Sequence, residues 1–345
     1  MHGGVGMGVW AEEDRPAAVR LPKTAMPFGT AADVCAVDAA HPECHCATVV
    51  ALPGAGEERL VASWYAGSAE CNPDVAVFSA TWTDRGGWSA ARLVVDTPGR
   101  PDGNPVLGVS PGGVLWLIFA TLTGRRWSSC HLRRARSIDA GVTWSQPEDL
   151  PGGEVGWLVR NKPVVHGGVW LLPVYDEIAW EGFVLRSTDD GQSWTPGGRM
   201  VSEQGCIQPT LLPGPDGALT ALLRCGQGGG PLWITRSSDG GATWSPTSPT
   251  SLHNPNSGCD AVARADGSWL LACNDQPKPA ARRVLALRVS RDGGPTWPGR
   301  GILAEGPGEY SYPAVIPAAD GGLHVLYTHE RTSIRHLRVR PGWPE

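Results

Sequence analysis

Short apolar runs alternate with turn residues along most of the chain. A pair of turn-forming residues precedes each run, as Gly112-Gly113 and Asp266-Gly267 do. Apolar runs with this punctuation predict β-strands joined by hairpins, and no long stretch shows a helical period with caps. The runs occupy residues 114–119, 169–174, 219–223 and 269–273, and the turn pairs of the middle two are Gly167-Gly168 and Asp216-Gly217.

A phrase of the form S-x-D-x-G-x-[TS]-W recurs between these runs. It occupies residues 137–144, 187–194, 237–244 and 290–297, at intervals of 50, 50 and 53 residues. A fixed period of this size indicates one folding unit used repeatedly. Each unit holds about four strands, the size of a propeller blade, whereas solenoid units are usually shorter or helical.

The count of units predicts the architecture. A degenerate fifth copy lies at residues 79–88, and we expect a sixth unit shared by the chain ends, with strands near residues 48–50 and 323–327. The prediction is an all-β, six-bladed propeller of four-stranded antiparallel blades. We divide the chain into an N-terminal extension at residues 1–30 and a single propeller domain at residues 31–345.

The residues of the phrase are expected to form and pack a turn. Asp can bond the backbone two residues on, Gly supplies a positive φ, and Thr or Ser adds a second local bond. The Trp then packs between neighbouring sheets. We therefore expect the repeated aspartates to be structural and not catalytic: Asp139, Asp189, Asp239 and Asp292.

Composition narrows the class of protein. The 345 residues allow a large core, and a formal charge of -5 with a pI near 6.0 argues against nucleic-acid binding. No apolar run reaches membrane-spanning length, and the first 15 residues lack the apolar core of a secretory signal, so a cytoplasmic protein is expected.

The nine cysteines are odd in number and scattered. Cys44 and Cys46 are too close for an ordinary disulfide across strands, and zinc at Cys44, His45 and Cys46 lacks a second ligand pair. We expect reduced thiols and no metal or organic cofactor.

The repeated phrase resembles the Asp-box, or BNR repeat, of the sialidase superfamily, most closely its bacterial "predicted neuraminidase" subgroup. The resemblance spans roughly residues 40–340 and includes the segments 160–163, 208–211, 254–258 and 308–313. It implies an exo-acting hydrolase that cleaves a terminal acidic sugar, either sialic acid or a related ulosonic or uronic acid. In this superfamily three arginines hold the sugar carboxylate, a Tyr–Glu pair supplies the nucleophile, and a loop carboxylate is acid and base.

Carried over by position, the resemblance makes Tyr310 the candidate nucleophile, with Tyr312 as its nearby rival. The second arginine matches Arg224, and the third matches Arg282 with Arg283 as the fallback. The acid/base position falls on Glu70, close to Asp74.

Two positions depart from the superfamily pattern. His45 stands where the first arginine is expected, and Gln208 stands where the Glu that accepts the phenolic proton is expected. Glu309 or Asp260 are possible substitutes for that Glu, and Arg160 beside Lys162 is either a replacement charge or a structural ion pair. Arg160, Asn256, Asp260 and His45 are also expected, with Arg224 and Arg282, among the substrate-binding residues.

Three functions remain open at this point. The favoured one is the retaining hydrolase of an oligosaccharide or glycoconjugate. The second is a lyase or hydrolase of glucuronate-linked sugars that uses His45 as base. The third is a non-catalytic sugar-binding propeller, in which exposed tryptophans such as Trp64, Trp157 or Trp180 stack on sugars. The sequence leaves the oligomeric state undetermined.

Overall fold

The computed structural model describes residues 24–54, 56–214, 216–226, 228–276 and 282–344. Residues 1–23 of the expected N-terminal extension lie outside the described residues. The chain is all-β, and a short 3-10 helix spans Trp127–Ser129. No helix in these ranges is both long enough and apolar enough to span a bilayer.

Twenty-seven strands are described. The first fourteen are β1 (Thr24–Met26), β2 (Gly29–Ala36), β3 (Glu43–Ala51), β4 (Arg59–Gly67), β5 (Ala76–Thr83), β6 (Gly87–Trp88), β7 (Arg92–Val95), β8 (Asp102–Val109), β9 (Leu115–Leu122), β10 (Cys130–Ser137), β11 (Glu148–Asp149), β12 (Trp157–Val159), β13 (Val164–His166) and β14 (Val169–Asp176). The others are β15 (Glu181–Ser187), β16 (Thr195–Pro196), β17 (Cys206–Pro213), β18 (Leu219–Cys225), β19 (Gly230–Ser237), β20 (Ser248–Asn254), β21 (Asp260–Ala263), β22 (Trp269–Cys273), β23 (Val284–Ser290), β24 (Gly299–Glu305), β25 (Tyr310–Pro317), β26 (Leu323–His329) and β27 (Ser333–Val339).

The strands form five antiparallel sheets, one of them double. The sheet that runs from β12 to β20 contains two groups, β12 to β16 and β17 to β20, joined by a single parallel pair at Glu181 and Cys206. The remaining sheets are β3 to β7, β8 to β11, β21 to β24, and β25 to β27 with β1 and β2. The four apolar runs of the sequence lie in β9, β14, β18 and β22.

The N-terminal strands close the last sheet in a way that the sequence did not predict. β2 pairs with β27 from Gly29↔Val339 to Ala36↔Ser333, and β1 pairs with β2. Residues 48–50, which were expected there, belong to β3 and pair with β4 instead. Residues 24–30, assigned to an extension, therefore belong to this sheet, with β1 as its edge strand and the start of β2 beside it.

The first strands of successive groups contact one another. β3 contacts β8, β8 contacts β12, β17 contacts β21, β21 contacts β25, and β25 returns to β3. Between the β12 and β17 groups the contact is made by β14 with β17. Apolar side chains fill the space between neighbouring sheets, as Ile118, Leu158 and Phe183 do. Both faces of β9, β14, β18 and β22 are covered, and their sequences are accordingly nearly continuous apolar runs.

The repeated phrase builds the same turn four times. In the first copy Asp139 accepts hydrogen bonds from Ser137 Oγ (2.8 Å), the Thr143 amide (2.8 Å) and the Thr143 hydroxyl (2.6 Å). The backbone bond therefore reaches four residues along and not two, which corrects the expected geometry. Gly141 takes a φ of 83° there, a conformation that favours glycine. The corresponding aspartates of the other copies make the same hydroxyl bonds.

Candidate active site

Irregularities in the first strands of four groups position the candidate site. The pairing register shifts in β3, β8, β17 and β25, where a β-bulge places one extra residue. Each bulge holds a non-glycine residue with positive φ, a backbone conformation that residues other than glycine rarely adopt. These residues are Cys46 (59°), Asn104 (47°), Gln208 (55°) and Tyr312 (52°).

Tyr312 is at the centre of a group of arginines. The guanidinium carbons of Arg160, Arg224 and Arg282 lie 5.2, 5.9 and 5.1 Å from the centroid of its ring. The Tyr312 hydroxyl accepts a 2.8 Å hydrogen bond from Arg224 Nη1. The three arginines are carried by different parts of the chain, so only the folded structure brings them to one phenol.

Arg224 is fixed on two sides. Its Nε donates to Asn256 Oδ1 at 2.7 Å, and its Nη1 also donates to Gln208 Oε1 at 3.1 Å. The amide nitrogen of Gln208 donates to the Tyr175 hydroxyl at 3.3 Å. Within the described residues Arg224 Nη2 has no hydrogen-bond partner, so it is free to bind an anion.

Arg160 is more deeply buried than Arg224. It is 1% exposed, and its Nη2 donates to the Pro313 carbonyl at 2.7 Å. Its Nε has no partner among the described residues. A Cβ built on Gly258 would approach Arg160 Nε at 3.3 Å and Tyr312 Cδ1 at 3.2 Å, so Gly258 leaves room for both. From this buried position the Arg160 guanidinium lies against the Tyr312 ring.

His45 packs against the same phenol. Its ring centroid lies 4.3 Å from that of Tyr312 and 5.7 Å from that of Tyr65, and the residue is 2% exposed. Burial lowers the pKa of His45 well below its ordinary value, and the positive charges of Arg331 and Arg282 lower it further. The imidazole is therefore neutral at physiological pH, unlike the arginine that the superfamily pattern places there.

A chain of ion pairs forms the rim of the site. Arg282 Nη1 donates to Glu309 at 2.9 Å, and Arg331 Nε donates to the other oxygen of Glu309 at 3.2 Å. Arg331 Nη1 then donates to Glu70 at 2.9 Å, and the Trp127 indole donates to Glu70 at 2.9 Å. Burial opposes ionisation of Glu309, but the Ser311 hydroxyl and the two arginines lower its pKa overall.

Glu177 is a second carboxyl near this rim, which forms the mouth of the site. It lies in the turn that follows β14. Burial raises the pKa of Glu177 to about 7, while Arg224 acts in the opposite direction and Glu70 reinforces the increase. Tyr175, two residues earlier, accepts hydrogen bonds from Asn104 (3.2 Å) and Gln208 inside the site.

Tyr310 is not brought to this cluster, which corrects its expected placement. Its hydroxyl donates to Glu330 at 3.1 Å, and its ring packs with Val315 and Tyr327 in a different core. The bulge between Ser311 and Ala314 breaks the alternation of β25, so that residues 310 and 312 do not share a face.

Asp260 also has a different environment from the one expected of a substrate ligand. It is 1% exposed and forms an ion pair with Lys162 at 2.7 Å. It also accepts hydrogen bonds from Thr210 Oγ1 and the Val315 amide, both at 2.8 Å. Neither Asp260 nor Glu309 contacts the Tyr312 hydroxyl, so neither takes the place of the missing Glu.

The other expected site residues divide between the site and its surroundings. Asn256 lies between Arg224 and Arg282, since its carbonyl accepts from Arg282 Nη2 at 3.0 Å. Arg283 is exposed, and Asp74 bonds Ser68 in its own loop. Trp64 and Trp157 are buried in cores and cannot stack on a sugar, whereas Trp180 is partly exposed.

Nothing in the described ranges forms a metal centre, since no group of three or more His, Cys, Asp and Glu residues there could hold an ion. All nine cysteines fall within those ranges and are unpaired. Cys44 and Cys46 point into different apolar clusters on either side of His45.

The all-β fold agrees with the resemblance to the sialidase superfamily found in the sequence. The chain belongs to the BNR repeat-like domain family, whose sequence model matches residues 58–325. A sialidase from Micromonospora viridifaciens is 27% identical over an alignment of 242 residues, which covers 62% of this chain. The chain spans only 36% of the length of that relative.

Solved structures share the fold. The Hadza microbial sialidase Hz136 matches with a TM-score of 0.76 at 20% identity over 90% of this chain and 68% of its own. The NanB sialidase from Streptococcus pneumoniae matches with a TM-score of 0.77 at 12% identity over 91% and 71%. A protein of unknown function from Dyadobacter fermentans gives 0.71 at 18% identity over 91% and 100%.

Several residues of the site were not found from the sequence, among them Glu177, Arg331 and Tyr175. Two of them occupy short turns between strands, where a charged residue is ordinary. The dipeptides Asn104-Pro105, Gln208-Pro209 and Tyr312-Pro313 were a usable signal for the bulges, because Pro removes a ladder donor within a strand. Applied to β25, that signal favours Tyr312 over Tyr310.

Proposed function

We propose that this chain is an exo-acting glycoside hydrolase of the sialidase type, which removes a terminal acidic sugar from an oligosaccharide or glycoconjugate. The observation that carries the proposal is the position of the Tyr312 hydroxyl, which lies 2.8 Å from Arg224 within a group of three guanidinium ions. The name of the Micromonospora relative supports the same reaction class.

The architecture proposed for this enzyme is a six-bladed propeller. The double sheet supplies two blades through its two groups, and the other four sheets supply one each. Contact between β25 and β3 supports closure of the ring. In such a ring, side chains from distant parts of the sequence meet at the axis, as the residues around Tyr312 do.

The cationic groups suit a sugar that carries a carboxylate. Arg224 Nη2 has no partner in the described structure, and Arg282 adds a second guanidinium beside it. Guanidinium groups bind carboxylates through paired N–H donors. Arg160 and His45 instead pack against the Tyr312 ring, Arg160 as a buried guanidinium and His45 as a neutral imidazole.

Tyr312 is the proposed nucleophile, with retention of configuration. Its oxygen attacks the anomeric carbon, and an uncharged phenol approaches an anionic sugar without repulsion. Gln208 cannot accept the phenolic proton, so this proton passes to water, while the Arg224 N–H stabilises the oxygen. A carboxyl at the mouth, Glu70 or Glu177, donates the proton that the leaving group requires.

The assay is hydrolysis of a panel of 4-methylumbelliferyl glycosides of acidic sugars, including N-acetylneuraminate and glucuronate. Tyr312→Phe should reduce kcat/KM by at least about a hundredfold, as expected for loss of a nucleophile. Tyr310→Phe is the matched control, because its hydroxyl contacts Glu330 outside the cluster. Full activity in Tyr312→Phe would eliminate this role for the phenol.

A non-catalytic sugar-binding protein is the second candidate. It is favoured by Gln208, an amide that stands where the superfamily pattern has Glu and that bonds Arg224 through its oxygen and Tyr175 through its nitrogen. Calorimetric binding of N-acetylneuraminate by a wild-type protein that hydrolyses no member of the panel would select this function.

A further inference from the structure

The two carboxyls at the mouth of the site, Glu70 and Glu177, have opposite surroundings. Glu70 accepts hydrogen bonds from Trp127 Nε1 and from Arg331 Nη1, each at 2.9 Å. The bond to Arg331 is an ion pair. Within the described ranges the Glu177 carboxyl has no hydrogen-bond or ion-pair partner, although the side chain is half-buried.

The backbone holds the two residues on the same side of the site. The Glu177 amide donates to the Gly156 carbonyl at 2.9 Å, and the Gly156 amide donates to the Cys130 carbonyl at 3.0 Å. The helical turn Trp127–Ser129, which immediately precedes Cys130, carries the indole that binds Glu70. Asp176 fixes the turn by accepting from the Ile178 and Ala179 amides, both at 2.9 Å.

We infer that Glu177 is the proton donor to the leaving group, and that Glu70 is a positioning residue that holds Arg331 and Trp127. This inference rests on the proposed function and deepens it. In the first step the glycosidic C–O bond breaks, its electron pair goes to oxygen, and that oxygen takes the proton from Glu177. The Tyr312 oxygen forms the new bond to the anomeric carbon and releases its proton to water.

The second step restores the groups. A water attacks the anomeric carbon, the Glu177 carboxylate takes a proton from that water, and the bond to Tyr312 breaks. The phenolate oxygen then takes a proton from water. Protons and electrons therefore balance over the two steps, and the net reaction consumes one water.

The charges around Glu177 favour a carboxyl that is protonated near neutral pH. Burial raises the pKa of Glu177 to about 7, and a donor is most effective when its pKa lies near the working pH. The titratable and charged groups that face Glu177 are Arg224, Glu70, Asp176, Tyr175, Cys71 and Cys130.

The test compares two substrates of the same sugar. One is the aryl glycoside that the wild-type protein hydrolyses in the panel, and the other is the disaccharide of that sugar with galactose. The aryl leaving group needs little protonation, whereas the galactose oxygen needs a full proton. Variants Glu177→Gln and Glu70→Gln are compared with Glu154→Gln, which alters an exposed carboxyl in the adjoining loop.

Glu177→Gln should lose about a hundredfold in kcat/KM on the disaccharide and less than about tenfold on the aryl glycoside. It should also lose the alkaline limb near pH 7 in the kcat/KM profile of the wild-type protein. Glu70→Gln should affect both substrates equally and keep that limb. Glu154→Gln should match the wild-type protein.

Two results would overturn the assignment. Leaving-group dependence in Glu70→Gln and not in Glu177→Gln would transfer the donor role to Glu70. Wild-type rates in Glu177→Gln on both substrates would remove its role while the proposed function stands. A wild-type protein inactive on every aryl glycoside would instead refute the proposed function and the donor together.

Discussion

The buried carboxylate of Asp260 offers the sharpest test of the structure. It accepts hydrogen bonds from Thr210 of β17, Val315 of β25 and Lys162, in addition to the amide of Ala261. One side chain therefore connects first strands of three groups. We predict that Asp260→Ala destabilises the fold and leaves substrate binding unchanged.

The magnitude follows from the burial of the pair. Asp260 has 2% of its side chain exposed and Lys162 has 19%. Removing one partner of a buried ion pair costs about 3–5 kcal/mol, because the other charge is left without compensation. At about 2.1 cal/mol/K of unfolding entropy per residue, that loss in a chain of 345 residues lowers Tm by roughly 4–7 °C.

The assay is urea unfolding followed by tryptophan fluorescence, with thermal melting as a second probe. Lys162→Met should be destabilised by a similar amount, and the double variant with Asp260→Ala by clearly less than the sum of the two. The KM of folded Asp260→Ala should stay within about twofold of the wild-type value. A loss below about 1 kcal/mol, or a KM raised at unchanged stability, would refute a purely structural role.

Two further predictions concern the site and the repeated turns. Gly258→Ala should lower kcat/KM by about tenfold or more with an unchanged melting curve, because its Cβ would displace Tyr312 or Arg160 by a few tenths of an ångström; wild-type kinetics would show that the contact is tolerated. Hydrogen bonds from Ser193 lower the pKa of Asp189 to about 2, below the value near 3.9 of an unfolded chain. This carboxylate therefore contributes stability above about pH 4 that is lost as the pH falls towards 2, and the gap in unfolding free energy between wild type and Asp189→Asn should narrow over that range; a gap independent of pH would contradict the linkage.

Much of the strand pattern followed from local sequence. Apolar runs and their turn pairs located β9, β14, β18 and β22, and the repeated phrase located four identical turns. These features depend on residues close together in the chain, and local hydrogen bonding and side-chain size determine them. The position of β2 beside β27 could not be predicted in this way, because it results from pairing between residues about three hundred positions apart.

The candidate site shows the same division. The arginines at positions 224 and 282 were expected from the resemblance, and both lie beside Tyr312. The choice between Tyr310 and Tyr312 depends on the β25 bulge, which reverses the face that each side chain occupies. Strand periodicity alone would have placed both phenols together.

The sequence by itself determined an all-β chain of repeated units, the turns between its strands, and the residue types that the proposed function requires. Only the tertiary structure decided which of those residues meet. Proximity at the site arises from packing between strands far apart in the chain. Partners, not residue type, distinguish Glu70, which accepts from Trp127 and Arg331, from Glu177, whose carboxyl has no partner within the described ranges. A carboxyl acquires its protonation state from its neighbours, and those neighbours are known only once the chain has folded.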